Sequence, residues 1–115
     1  MTPAQYVPDE GDIVWLNFTP QSGHEQAGRR PALVLTPTAY NSRTGLLVCV
    51  PITQQIKGYP FEVLLAGSGA TGAALADQVK SLDWKSRQAE RKGRANVAEM
   101  VEIKSKIKLL LRLVD

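Results

Sequence analysis

Cysteine and histidine occur once each, as Cys49 and His24, and this scarcity removes several chemistries at once. A single cysteine closes no disulfide within the chain, which fits a reducing compartment. It lies inside the apolar run at 46–50, where a thiol behaves as a small hydrophobe and has no polar neighbour to activate it. One histidine and one distant cysteine cannot make a zinc site. The 11 acidic residues are scattered, with no closely spaced carboxylate set to hold magnesium. No cofactor is implied. The glycines at 67–72 lead into an expected strand and not into a helix, so they make a loop tip and no nucleotide cradle. A hydrolase-type serine elbow is missing. No apolar run is long enough to span a membrane, and the N-terminus lacks a basic segment followed by an apolar stretch. The expected location is the cytoplasm.

What is present is ordinary in amount. The 115 residues make one domain, which buries roughly 60–68% of its unfolded surface. That suffices for a core but not for a large enclosed pocket, so any chemistry belongs on a surface cleft or a subunit interface. Hydrophobic residues make up 43% and charged residues 22%, as in soluble globular proteins. The net charge of +3 is a mild basic bias that favours an anionic partner only modestly.

The pattern is that of short strands followed by one helix. Ile13, Val14, Trp15, Leu16 and Phe18 suit a pleated surface and follow the turn formers Pro8-Asp9 and Gly11-Asp12. The polar stretch at 21–28 reads as a loop. Arg30 precedes Pro31, which pushes it into extended geometry at the start of a strand at 32–35. A turn region at 37–45 has room for a short helix near Ala39-Tyr40. The run at 46–50 is apolar at every position, which suggests a strand covered on both faces as in a small closed barrel, with Pro51 ending it. Further strands are expected at 61–65 and 75–81, the second placing Gln78 and Lys80 on one face. Asn96 and Glu99 form a capping-box signature, after which Met100, Ile103, Ile107, Leu110 and Val114 recur at helical spacing. Trp15 and Trp84 read as core or dimer-interface residues.

An ordered set of segments carries a resemblance. Gly11-Asp12-Ile13-Val14-Trp15 precedes Phe18-x-Pro20, and Glu25-Gln26-x-Gly28-x-Arg30-Pro31-Ala32-Leu33-Val34-Leu35 follows. Then come Asn41, Cys49-Val50-Pro51-Ile52-Thr53, Lys57-Gly58-Tyr59-Pro60-Phe61-Glu62-Val63 and Asp77-Gln78-Val79-Lys80-Ser81. Each piece is weak alone, but the ordered set, spanning nearly the whole chain, resembles the MazF/PemK family of toxin endoribonucleases, chromosomal MazF type. The resemblance implies a mainly β fold: one compact, SH3-like curved β-barrel with a C-terminal amphipathic helix, usually a homodimer. It also implies metal-independent cleavage of single-stranded RNA at a short motif, an ACA-containing one being the first guess by similarity. The implied inhibitor is an acidic, MazE-like antitoxin whose extended segment folds on binding.

By the same resemblance, Arg30, Thr53 and Glu25 are the catalytic candidates. The RNA 2′-hydroxyl already lies beside its own phosphate, so proximity supplies much of the acceleration. Glu25 would accept the hydroxyl proton, with neighbouring His24 as the other candidate. Arg30 would brace the phosphate electrostatically, because a guanidinium with a pKa above about 12 releases a proton only with difficulty. Thr53 would donate a hydrogen bond to a phosphate oxygen. Gln26, Arg29, Asn41, Lys57, Tyr59, Gln78 and Lys80 are candidates for holding RNA. Arg29 reads equally as an auxiliary phosphate contact or a surface charge, and Tyr59 equally as a stacking platform or a packing residue. Two other functions compete: a gyrase-poisoning binding toxin on the same barrel, which needs no Glu25/Arg30/Thr53 set, and a non-catalytic RNA-binding barrel.

Overall fold

The computed structural model describes residues 5–18, 28–66 and 71–114. Glu25, Gln26 and His24 lie outside the described residues. The elements run β1 (Asp12–Asn17), β2 (Arg29–Val34), α1 (Thr38–Thr44), β3 (Leu46–Thr53), β4 (Glu62–Leu65), β5 (Gly72–Leu75), β6 (Lys80–Asp83), β7 (Glu90–Arg94) and α2 (Val97–Leu111). All pairings are antiparallel, in the order β4-β5-β3-β2-β1-β7, with β6 also on β3. The edge strands β4 and β7 do not pair with each other among the described residues, so the expected closed barrel is a curled half-barrel.

The sheet is buried on both faces, as the unbroken apolar run of β3 requires. Alternate side chains point to opposite sides. Val50 and Ile52 join Ile13, Leu33, Val63 and Ile103 in one core cluster, while Leu47 and Cys49 join Val14, Leu16, Val34 and Trp84 in the other. Cys49 is 1% exposed, and burial pushes its thiol up to about 12 against the opposing pull of Lys80 and Arg87. The thiol therefore stays protonated at physiological pH. Folded protein at pH 8 is expected to resist iodoacetamide and to become labelled at one site only in denaturant, which mass spectrometry checks.

Two prolines shape the centre of the sheet. Leu35 N donates to Val48 O at 2.8 Å, and Leu33 pairs with Val50, so odd-numbered residues of β2 direct their backbone groups towards β3. Pro31 would be the next donor in that row and has none. The β2–β3 pairing accordingly stops at Ala32↔Pro51. Pro51 does not end its strand as expected. Its missing N–H faces away from β2, into the interval between the β6 pairing, which ends at Cys49↔Lys80, and the β5 pairing, which begins at Ile52↔Ala74. The strand expected at 75–81 is likewise two strands, β5 and β6, separated by a turn at Ala76 and Asp77.

The helix starts as the sequence indicates. Asn96 Oδ1 accepts from Glu99 N at 2.7 Å, and Glu99 Oε1 accepts from Asn96 N at 2.9 Å. Glu99 Oε2 also accepts from Ala66 N, which ties the helix to the end of β4. Ile103 is fully buried and Met100 and Ile107 pack beside it. Leu110 and Val114, expected on the same buried face, are 40% and 92% exposed: the sheet ends before the helix does. No described helix is long and apolar enough to cross a membrane.

Candidate nuclease site

Arg30 and Thr53 flank the end of the β2–β3 pairing, beyond its last pair Ala32↔Pro51. The register matches Ala32 to Pro51, Leu33 to Val50 and Val34 to Cys49; counting two residues onward from Ala32 sets Arg30 opposite Thr53. By alternation both side chains lie on the side of Ala32 and Cys49. Pro31 keeps the two strand ends from closing on each other. Arg30 is exposed, and its side chain makes no hydrogen bond or ion pair with any described residue. Thr53 is half-buried, and its Oγ1 accepts from Gln55 N at 3.0 Å, which leaves the hydroxyl hydrogen to be donated outward.

The position of Thr53 depends on Gly72. A Cβ at Gly72 would lie 2.3 Å from Thr53 O, and the backbone there has φ +120°. Gly72→Ala must displace the end of β3. It is expected to lower stability by about 2 kcal/mol in urea unfolding.

Lys80 joins this face through its pairing with Cys49. Its Nζ lies 5.8 Å from the Phe18 ring centroid, and the Arg87 guanidinium lies 5.9 Å from the same ring. Phe18 follows β1, two residues beyond Leu16, which pairs with Arg30. Lys80 and Arg87 thus flank one aromatic ring, on the face that alternation also gives to Arg30 and Thr53. Neither Arg30 nor Lys80 has an acidic partner among the described residues. Such a surface offers fixed positive charge, a hydroxyl donor and a stacking ring, which suits a phosphodiester and its unstacked bases. Among the described residues no group of three or more His, Cys, Asp or Glu is placed to hold a metal ion.

Comparison with known proteins gives the family. Residues 9–111 match the PemK-like, MazF-like toxin family of type II toxin–antitoxin systems. The chain belongs to the PemK/MazF toxin family. The endoribonuclease toxin MazF of Escherichia coli K12 is 54% identical over 108 residues, which cover 94% of this chain and 97% of the relative. The endoribonuclease PemK of Escherichia coli is 35% identical over 108 residues, covering 90% and 81%. A crystal structure of MazE–MazF from Deinococcus radiodurans superposes with a TM-score of 0.91 at 55% identity, covering 96% of this chain and 100% of that one.

Within this MazF-type fold the remaining candidates divide. Lys57 and Gln78 are exposed, but Gln78 sits in the link between β5 and β6 and shares no strand face with Lys80. Tyr59 donates its hydroxyl to Asp77 Oδ1 at 2.9 Å, joining the loop at 54–60 to the turn after β5. Glu62 fixes that loop further by accepting from Lys57 N at 2.8 Å and Gly58 N at 2.7 Å. Asn41 is not available to RNA. It is 0% exposed, its Nδ2 donates to Pro8 O and Thr36 O, and its Oδ1 accepts from Thr36 Oγ1. Arg29 is also committed within the chain, to Asn17, Trp15, Gln88 and Glu90. Phe18 and Arg87 were not among the sequence candidates. Phe18 stood in a family segment, whereas Arg87 lies in an aperiodic turn whose sequence marks no face.

Proposed function

We propose that this endoribonuclease toxin cuts single-stranded RNA without a metal ion, by attack of the ribose 2′-hydroxyl on the adjacent phosphate. The products are a 2′,3′-cyclic phosphate and a 5′-hydroxyl. Arg30 braces the phosphate and neutralises the charge that develops on it, and Thr53 donates to one of its oxygens. Glu25 is the proton acceptor. Lys80, Arg87 and Phe18 hold the flanking nucleotides, with Lys57, Tyr59, Gln78 and Gln26 further along the same RNA. The observation that carries this reading is the register that sets Arg30 opposite Thr53 at an open strand end. A barrel that only poisons gyrase, or only binds RNA, has no need of that pairing.

The chain acts as one toxin domain in the cytoplasm, as a homodimer silenced by an acidic antitoxin. Val97, Val101, Leu109 and Leu113 of the α2 segment are exposed by more than half, an apolar surface that a second copy would cover. The relative from Deinococcus radiodurans was crystallised with MazE, and the surface of Arg30, Lys80 and Arg87 suits an acidic chain as it suits RNA.

Incubation of purified protein with a long single-stranded RNA and excess chelator tests the proposal. Discrete fragments are expected, and Thr53→Val is expected to cut about 10²-fold more slowly. RNA that is retarded on a gel but uncut would point to a binding protein.

A further inference from the structure

We infer that Arg29 is a positioning residue of the RNA-cleaving site: it fixes the corner at Arg87 and Gln88, and through it holds the Arg87 guanidinium beside Phe18 and Lys80. This rests on the reading of the Arg30–Thr53 face given above. Gln88 has φ 54°, a left-handed backbone that a residue with a Cβ adopts only when its surroundings impose it. The surroundings are Asn17 and Arg29. Asn17 N donates to Arg87 O at 2.9 Å, Arg87 Nη1 donates to Asn17 O at 3.0 Å, and Asn17 Nδ2 donates to Gln88 Oε1 at 3.2 Å. Arg29 pairs with Asn17 in the β1–β2 ladder. Its Nη1 donates to Asn17 Oδ1 at 2.8 Å and its Nη2 to Gln88 O at 2.7 Å, with Glu90 Oε1 at 3.3 Å and Trp15 O at 3.5 Å also in reach.

One planar fork thus joins the end of β1, the corner and the first residue of β7, a span that a single ammonium cannot reproduce. The two adjacent arginines divide the work. Alternation along β2 sends Arg30 to the open face and Arg29 to the opposite side, where its donors are already engaged. Its effect on RNA passes through Arg87.

The test is kcat and KM on a single-stranded oligoribonucleotide for wild type, Arg29→Met, Arg87→Met and the double variant. Arg29→Met is expected to raise KM about tenfold with kcat within about twofold. The double variant is expected to stay within about twofold of Arg87→Met, because the first residue acts through the second. Arg29→Lys keeps the charge and most of the stem, so it folds even if the methionine variant does not. It is expected to raise KM about threefold, since it cannot bridge the same acceptors. A wild-type KM in Arg29→Lys overturns the inference. So do losses that multiply in the double variant, which would mean that Arg29 touches RNA itself. A wild-type KM in Arg87→Met would instead sink the reading of the face, and this inference with it.

Discussion

Arg30→Ala is expected to lower kcat/KM for RNA cleavage by about 10³-fold while leaving the urea unfolding midpoint unchanged. The two halves of this prediction have one cause. Arg30 is exposed, has no partner among the described residues and fills no part of either core cluster, so its removal costs the fold little. Among the described residues nothing occupies the five N–H donors of its guanidinium. Its backbone is paired to Leu16 of β1 while Pro31 halts pairing to β3, so an exposed guanidinium is carried on strand backbone beside an unpaired strand end. Arg30→Lys restores the charge but not the fork, and is expected to recover only part of the loss.

Asn41→Ala is expected to do the reverse, lowering stability by about 3 kcal/mol while leaving kcat/KM per folded molecule unchanged. The Asn41 amide joins the segment before β1, through Pro8 O, to Thr36 and the start of α1, and its own carbonyl accepts from the buried Trp84 Nε1 at 2.9 Å. Truncation leaves Thr36 O without its side-chain donor and Pro8 O with only the Thr38 hydroxyl, at 3.3 Å. Asn41→Asp is no rescue, because a carboxylate supplies no donor there. Equilibrium urea unfolding and cleavage assays on the same preparations separate the two variants. A loss of RNA affinity in Asn41→Ala at full folding would restore this residue to the binding surface.

The sequence disclosed the elements whose pattern matches their burial. β3 was legible as a strand covered on both faces because every position from 46 to 50 is apolar, and both core clusters do draw on it. The start of α2 was legible because Asn96 and Glu99 satisfy each other's backbone donors locally. β7 was not legible: Glu90, Arg91, Lys92, Gly93 and Arg94 have no apolar alternation, and the strand is an edge held by its backbone pairing to β1, where charge discourages further pairing. Pro51 misled because a proline is permitted inside a strand wherever its missing donor meets no neighbour, and that depends on two other strands.

The candidate site was legible in kind more than in detail. Arg30 and Thr53 followed from the family resemblance, and the register then set them opposite each other. The resemblance singled out Arg30, but nothing in the sequence chose between an RNA contact and a surface charge for Arg29. Alternation sends Arg30 to the open face and Arg29 beneath the turn at 84–89, whose position no local pattern encodes. Asn41 looked like a polar turn residue, yet the short helix around it leaves it no exposure.

In the proposed reaction Arg30 and Thr53 hold a phosphodiester while its own ribose attacks. Mass spectrometry of the fragment ends, after digestion of a defined single-stranded RNA in excess chelator, tests it most directly. The expected ends are 2′,3′-cyclic phosphates paired with 5′-hydroxyls, with none of these fragments from the Arg30→Ala protein. Fragments bearing 5′-phosphates, or cleavage that begins only when a divalent metal is restored, would contradict it.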